Sequence, residues 1–310
     1  MSVLIALGGN AMTGPDGSAR PEDQRVAITE AMEAVADLVS AGERVVLTHG
    51  NGPQVGNLLV KNEMAASVVP PVPLDWCGAQ TQATIGALIL NALDSALARR
   101  RVRVPVAVLV SRTLVAADDP HFTAPSKPIG RYLPEAQART MMEHGQIWQD
   151  RGARGWRRIV ASPEPLECLD APAAGALLDA GYVVVCSGGG GVPVVRADGG
   201  TLHGVEAVID KDLAASVLAR QLVAVRTLIL ATDVDAAVVG FGTPDARPIG
   251  VVSASQLRAL AARGHFASGS MGPKVEAACR FAESGGRAVI TSLNRIAEAV
   301  RGTAGTIVTR

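Results

Sequence analysis

Lysine is almost missing from this chain of 310 residues: of 29 basic side chains only Lys61, Lys127, Lys211 and Lys274 are lysine, and the other 25 are arginine. Arginine therefore serves wherever a generic surface cation is needed. A retained lysine marks a place where a compact ammonium on a flexible stem is wanted. Aromatic residues are nearly as scarce, 3% against 48% apolar residues in all, so the core has to be built from Val, Leu, Ile and Ala, as buried parallel sheets are. Cysteine occurs four times, at Cys77, Cys168, Cys186 and Cys279, without C-x-x-C or zinc spacing, which reads as scattered buried thiols. The five histidines, His49, His121, His144, His203 and His265, include no pair at metal-binding helical spacing.

Net charge is absent too. The 29 basic residues offset 29 acidic ones, which leaves no long-range field for nucleic acid or an anionic membrane, so neither is an expected partner and any anion site has to be local. Apolar runs such as Tyr182–Cys186 and Leu228–Ala231 are strand-sized and too short to span a bilayer. The amino terminus passes directly into Val3–Leu7 without a basic segment or a cleavage site, so it reads as a first strand, and a cytoplasmic location is expected.

What is present is an alternation of short β-branched runs with longer amphipathic stretches, the pattern of a mainly parallel sheet covered on both faces. Strands are expected at Val3–Leu7, Arg44–Thr48, Val104–Val110, Tyr182–Cys186, Thr227–Ala231, Ala288–Thr291 and Thr306–Thr309. Helices are expected at Gln24–Ala41, Pro53–Met64, Asp75–Ala98 with Asp75 as N-cap, Asp212–Gln221, Ala254–Arg263, Pro273–Ser284 and Arg295–Arg301. From Ser111 to Ala171 prolines and arginines interrupt the alternation, which suggests a protruding subdomain inserted into a single domain spanning residues 1–310.

In open α/β sheets ligands bind beyond the carboxyl ends of the strands. Three glycine-bearing loops follow expected strands: Gly8-Gly9-Asn10, Gly50-Asn51-Gly52 with Pro53, and Ser187-Gly188-Gly189-Gly190-Gly191. Missing Cβ atoms let backbone N–H groups approach an anion, and Pro53 suits the first turn of a helix whose positive end faces it. Each of the first two alone could equally be a structural turn, whereas four consecutive glycines cost too much backbone entropy to be casual.

Three of the four lysines sit in unusual surroundings. Lys211 lies between Asp210 and Asp212 at a helix mouth. Lys274 stands in a helix first turn after Met271-Gly272-Pro273, where a cation is disfavoured unless an anion is also bound. Lys127 lies in the rigid segment Pro125–Gly130 of the inserted region, whereas Lys61 sits on a polar helix face. No P-loop sequence and no complete Gly-x-Gly-x-x-Gly is present. Lysines and glycine loops without a histidine base or a Ser/Cys nucleophile describe phosphoryl transfer by positioning and charge neutralisation, helped by a nucleotide-bound Mg²⁺.

These motifs resemble the carbamate kinases of the amino-acid kinase superfamily. The resemblance rests on Ala6–Ala11, Thr48–Gly56 (THGNGPQVG), Pro73–Gly86 (PLDWCGAQTQATIG), Lys127–Gly130 (KPIG), Gly155–Val160 (GWRRIV), Ser187–Val192 (SGGGGV), Gly204–Ala215 (GVEAVIDKDLAA), Thr232–Asp235 (TDVD), Ala267–Ala277 (ASGSMGPKVEA) and Ala288–Leu293 (AVITSL), which together cover nearly the whole chain in order. It implies a three-layer αβα sandwich, a homodimer, and phosphoryl transfer between carbamoyl phosphate and ADP. By the same resemblance Lys211 and Lys274 embrace the transferring phosphoryl group, Asp212 orients them, and Lys127 is delivered by the protruding subdomain. Gly8, Gly9, Asn10, Gly50, Asn51, Gly52, Gly188 and Gly189 would hold the carbamoyl phosphate. Asp233, Val234, Met271 and Gly272 would lie along the nucleotide with the two lysines. The chain departs from the family pattern at Arg131 and Ala161, where a proline is common, and both positions fall in the protruding region.

Overall fold

The computed structural model describes residues 2–14, 19–266 and 271–310, and for Asn10 the backbone alone. An eight-stranded sheet runs through the molecule. From one edge to the other its strands are Val251–Ser253, Thr306–Thr309, Arg287–Ser292, Val225–Thr232, Ser2–Leu7, Arg44–His49, Val183–Val185 and Val106–Val108. The six from Arg287–Ser292 onward are mutually parallel. Thr306–Thr309 pairs antiparallel with Arg287–Ser292 and parallel with Val251–Ser253, so those two edge strands run the other way.

The unbroken apolar run of the first strand follows from two-sided burial. Val3, Ile5 and Leu7 point into one apolar layer, shared with the helices Pro21–Ser40, Leu74–Arg99 and Ile296–Arg301. Leu4 and Ala6 point into the other, shared with Ala171–Asp179, Lys211–Gln221, Ala254–Ala262 and Met271–Glu283. The pleat thus distributes alternate residues of one run to two cores. All four cysteines are buried and free, with Cys168 Sγ and Cys186 Sγ 3.9 Å apart.

Most element boundaries fall within two residues of the sequence reading, and one cap differs. The helix Leu74–Arg99 is preceded by Pro73 rather than capped by Asp75. Asp75 lies inside the first turn, buried, and burial raises its carboxyl above the ordinary range. The Leu74 N–H donates instead to Glu206 Oε1 at 2.7 Å, a carboxylate from far along the chain doing what an N-cap side chain would do.

Two smaller sheets fall outside the simple alternation. In a four-stranded sheet, ordered Leu202–Gly204, Val192–Arg196, Arg112–Leu114 and Glu167–Cys168, the two ends of the 111–171 stretch pair antiparallel with each other. Between them rises an arm: the strands Lys127–Leu133, Trp156–Val160 and Trp148–Asp150 with the helix Glu135–Glu143 over a small core of Leu133, Ala138, Met141 and Trp148.

Candidate active site

The site is assembled where adjacent parallel strands end. Ser2–Leu7 runs out into Gly8 and Gly9, Arg44–His49 into Gly50 and Asn51, Val225–Thr232 into Asp233, and Val183–Val185 into Cys186, Ser187 and the glycines. Gly8 cannot carry a side chain, since a Cβ there would lie 2.9 Å from the Ala231 carbonyl oxygen. Beyond these ends lies an open cleft of about 1790 Å³, bordered by Gly8, Gly9, Gly50, Asn51, Gly52 and Gly189 and roofed in part by the arm. Ligand pockets are commonly about 300–1,000 Å³, so this cleft is larger than one small ligand requires.

Lys211 and Lys274 come from the first turns of two neighbouring helices, and Asp212 lies between them. Asp212 Oδ1 is 2.9 Å from Lys211 Nζ and Oδ2 is 3.0 Å from Lys274 Nζ. Burial by itself would raise the Asp212 pKa, but the two ammonium groups outweigh it and hold the carboxyl below its ordinary range. Two cations against one carboxylate leave this floor with an unbalanced positive charge. The Lys211–Asp212 contact is an ion pair without hydrogen-bond alignment, so the buried Lys211 Nζ has no hydrogen-bond acceptor among the described residues. A buried donor in that condition can take an acceptor from a ligand or from water.

The sequence reading placed Lys211 between Asp210 and Asp212, and the structure divides these roles. Asp210 caps the Lys211–Gln221 helix by accepting from the N–H groups of Asp212 (2.9 Å) and Leu213 (3.2 Å). Its other oxygen faces Lys127 Nζ of the arm at 3.7 Å. Lys127 therefore borders the same cleft as the two helical lysines, carried there by the arm.

The four-glycine loop works mainly by close packing. A Cβ on Gly188 would lie 2.4 Å from His49 Nε2, and one on Gly189, whose φ is +65°, would lie 2.1 Å from Asn51 Nδ2. Gly188 is buried and does not border the cleft, whereas Gly189 does. Asn51 donates from Nδ2 to Thr81 Oγ1 at 2.9 Å, which fixes its amide beneath the loop. His49 is fully enclosed, with Nδ1 donating to the Gly50 carbonyl at 2.9 Å. Burial pushes its pKa down to about 4, so the ring is neutral at pH 7.

Of the residues expected along the nucleotide, Asp233, Lys211 and Lys274 border the cleft, and Val234, Met271 and Gly272 do not. The side chain of Asn10 and residues 267–270 of the Ala267–Ala277 motif lie outside the described residues. Arg20, Lys61, Arg131 and Arg157 also border the cleft and were not singled out as site residues by the sequence. Arg157 and Arg158 are adjacent in a strand, so they face opposite ways. Arg158 turns inward and pairs with Glu206, while Arg157 turns toward the cleft.

The chain matches the amino acid kinase family over residues 1–292. It is 45% identical over 313 residues to the carbamate kinase of Thermococcus kodakarensis, covering 99% of each chain. It is 41% identical to carbamate kinase 1 of Enterococcus faecium, over 95% of this chain and 94% of that one. The structure of Giardia lamblia carbamate kinase bound to AMP-PNP superposes with a TM-score of 0.93 at 39% identity, covering 99% of this chain and 98% of that one. With its three-layer αβα architecture and its lysines gathered at the strand ends, the chain belongs to the amino acid kinase family and, within it, to the carbamate kinases.

Proposed function

We propose that this chain catalyses reversible phosphoryl transfer between carbamoyl phosphate and ADP at the floor formed by Lys211, Asp212 and Lys274. A terminal oxygen of the ADP β-phosphate attacks the phosphorus of carbamoyl phosphate in line. The new P–O bond forms as the bond to the carbamoyl oxygen breaks, and carbamate leaves as an anion. No proton has to move in this step, which agrees with a site whose one enclosed histidine, His49, is held neutral. The work is positioning and charge stabilisation.

Lys211 and Lys274 would contact the oxygens of the phosphoryl group in flight. Asp212 keeps both ammoniums in place without neutralising them fully. The backbone around Gly8, Gly9, Asn10, Gly50, Asn51, Gly52 and Gly189 would receive the carbamoyl phosphate, with Gly188 shaping the loop from behind. Asp233 would lie along the nucleotide, with Val234, Met271 and Gly272 supporting that end. Lys127, carried on the 111–171 insertion, would complete the site as the arm closes.

Among the described residues no three His, Cys, Asp or Glu side chains converge on a point that would hold a metal ion. A Mg²⁺ therefore fits best as part of the nucleotide complex, held by phosphate oxygens and water, where it would neutralise phosphate charge. No described helix is long and apolar enough to cross a membrane, which is compatible with work in the cytoplasm, and a homodimer is the assembly the family resemblance suggests.

The observation that carries this reading is the pair of lysines sharing Asp212 within a chain similar to carbamate kinases along its whole length. The test is ATP formation by the purified chain from ADP, Mg²⁺ and carbamoyl phosphate, with acetyl phosphate as the alternative donor. ATP from acetyl phosphate and none from carbamoyl phosphate would overturn it.

A further inference from the structure

The cations bordering the cleft form a graded series. Lys274 and Lys211 at the floor are 5% and 14% exposed at the side chain, Lys127 and Arg131 above them 37% and 47%, and Lys61 and Arg20 lie on the exposed rim. In all, seven cations border the cleft against three carboxylates, Asp210, Asp212 and Asp233, although the chain as a whole carries no net charge. Arg131 is set aside by its pairing with Glu63 of the Gly52–Ala65 helix at 2.8 Å, and the surplus remains positive without it. The excess is thus concentrated at one opening, where low-dielectric walls strengthen its field.

Arg157 is the member of this series best prepared for a ligand. Its guanidinium lies over the Tyr132 ring, 5.0 Å from the centroid, which holds the plane in one orientation. Among the described residues its only hydrogen bond is a long one of 3.5 Å from Nη1 to Tyr132 Oη, and its buried Nε has no partner there. The neighbouring Arg158 anchors the same strand to Glu206, so the base of Arg157 is fixed as well. Lys61 and Arg20 border the same cleft from the helical side, with no ion-pair partner among the described residues.

We propose that Arg157, with Lys61 and Arg20, forms an outer anion-receiving site that captures the phosphate of the acyl phosphate substrate before Lys127 and the floor lysines take it over. This rests on the reading of the cleft as a carbamoyl phosphate site. A flat, always charged guanidinium suits the first capture of a phosphate dianion, whereas the compact ammoniums below suit transfer. Capture of this kind acts on association, so it raises kcat/KM and is weakened by salt, while leaving the chemical step alone.

The experiment measures kcat and kcat/KM for carbamoyl phosphate, at saturating MgADP, from low to high ionic strength. Wild type is compared with Arg157→Gln, Arg157→Lys and Arg226→Gln. Arg226 is exposed at the start of the Val225–Thr232 strand, the end of the sheet away from the cleft, and is the control for a lost charge. Arg157→Gln should lower kcat/KM about tenfold at low salt, keep kcat within about twofold and flatten the salt dependence. Arg157→Lys should recover part of the loss, and Arg226→Gln should behave as wild type. A wild-type kcat/KM indifferent to salt, or an equal fall of kcat and kcat/KM in Arg157→Gln, would overturn the proposal. Calorimetric binding of inorganic phosphate to wild type and Arg157→Gln gives a readout independent of turnover: weaker binding by the variant is expected, and equal binding would overturn the proposal. If wild type makes no ATP from carbamoyl phosphate yet shows that difference in phosphate binding, the reaction assignment fails and the anion site stands.

Discussion

Lys274 Nζ donates to Asp212 Oδ2 across 3.0 Å, and both side chains are only 5% exposed, although 62 residues separate them in sequence. The contact ties two helices together and holds a charged pair out of water. A lysine in a helix first turn reads from sequence as lying at a solvent-open anion site, contributing little to the fold. Its enclosure changes that expectation.

Asp212→Asn should therefore weaken folding as well as turnover, because it leaves two enclosed ammoniums without a counter-charge. Breaking one side of a buried pair typically costs about 3–5 kcal/mol. Part of the lost melting temperature should return on adding inorganic phosphate or MgADP, which would supply the missing negative charge. Thermal melts of both proteins with and without these ligands check this. A variant as stable as wild type would show the pair to be energetically idle.

Lys127 is the one site lysine carried on the arm, and it reaches the rest of the site through Asp210 at 3.7 Å. Lys127→Ala should lower kcat by on the order of 10²–10³, the usual loss for one preorganised charge contact. ADP affinity measured by calorimetry should stay nearly the same. Should ADP binding fall as far as turnover does, Lys127 would be a nucleotide ligand and the arm would not complete the site.

The arm's attachment has its own test at Glu206, which accepts from the Leu74 N–H with Oε1 and pairs with the buried Arg158 through Oε2. Glu206→Ala removes both partners, leaving a helix N-terminus uncapped and an enclosed guanidinium alone. A loss of about 2–4 kcal/mol is expected from denaturant titration, with Glu206→Gln losing less because its amide oxygen can still accept from Leu74. Equal losses for the two variants would mean that the helix cap contributes nothing.

Stability should also fall in mild acid, for a reason located at His49. Its folded pKa is about 4 and its unfolded value about 6.5, so the unfolded chain takes up the proton first. The stabilisation from keeping the ring neutral is fully present above pH 6.5. It is lost progressively as pH falls toward 4, and amounts to about 3 kcal/mol across that window. Asp212 also has a depressed pKa, but its loss begins only near the ordinary carboxylate range and lower. In His49→Asn the slope between pH 6.5 and 4 should fall by one proton's worth, and an unchanged slope would place the titrating group elsewhere.

Those parts of the fold that bury both faces of a strand were legible in the sequence. Val3–Leu7 is apolar at every position because the pleat feeds two cores, and that pattern needs no tertiary knowledge to read. The strands Val192–Arg196 and Leu202–Gly204 were not read, because glycine-rich turns and polar residues flank them; they pair with each other, and the other partner of Val192–Arg196, Arg112–Leu114, lies in the inserted stretch. Within the site, the three lysines and the glycine loops could be named from local oddity alone. Which carboxylate each lysine meets could not: Asp210 is next to Lys211 in sequence, but its carboxylate caps the helix with one oxygen and faces Lys127 with the other, while Asp212 serves both Lys211 and Lys274. Arg157 stayed hidden because in an arginine-rich chain one more arginine carries no signal until the strand shows which way it faces.

If Lys211 and Lys274 act as compact ammoniums at the floor of the cleft, the most direct measurement of that role is kcat for Lys211→Arg, Lys274→Arg and Lys61→Arg with carbamoyl phosphate and ADP. The guanidinium keeps the charge but is broad and planar, so it should fit neither beside Asp212 nor against the phosphoryl oxygens. Losses on the order of 10²–10³ in kcat are expected for the two floor variants. Lys274→Arg should also melt lower, because that side chain is the more enclosed. Lys61 sits on the rim, where either cation can meet an incoming anion, so Lys61→Arg should stay close to wild type. Floor variants that turn over as fast as Lys61→Arg would contradict the catalytic role assigned to both lysines.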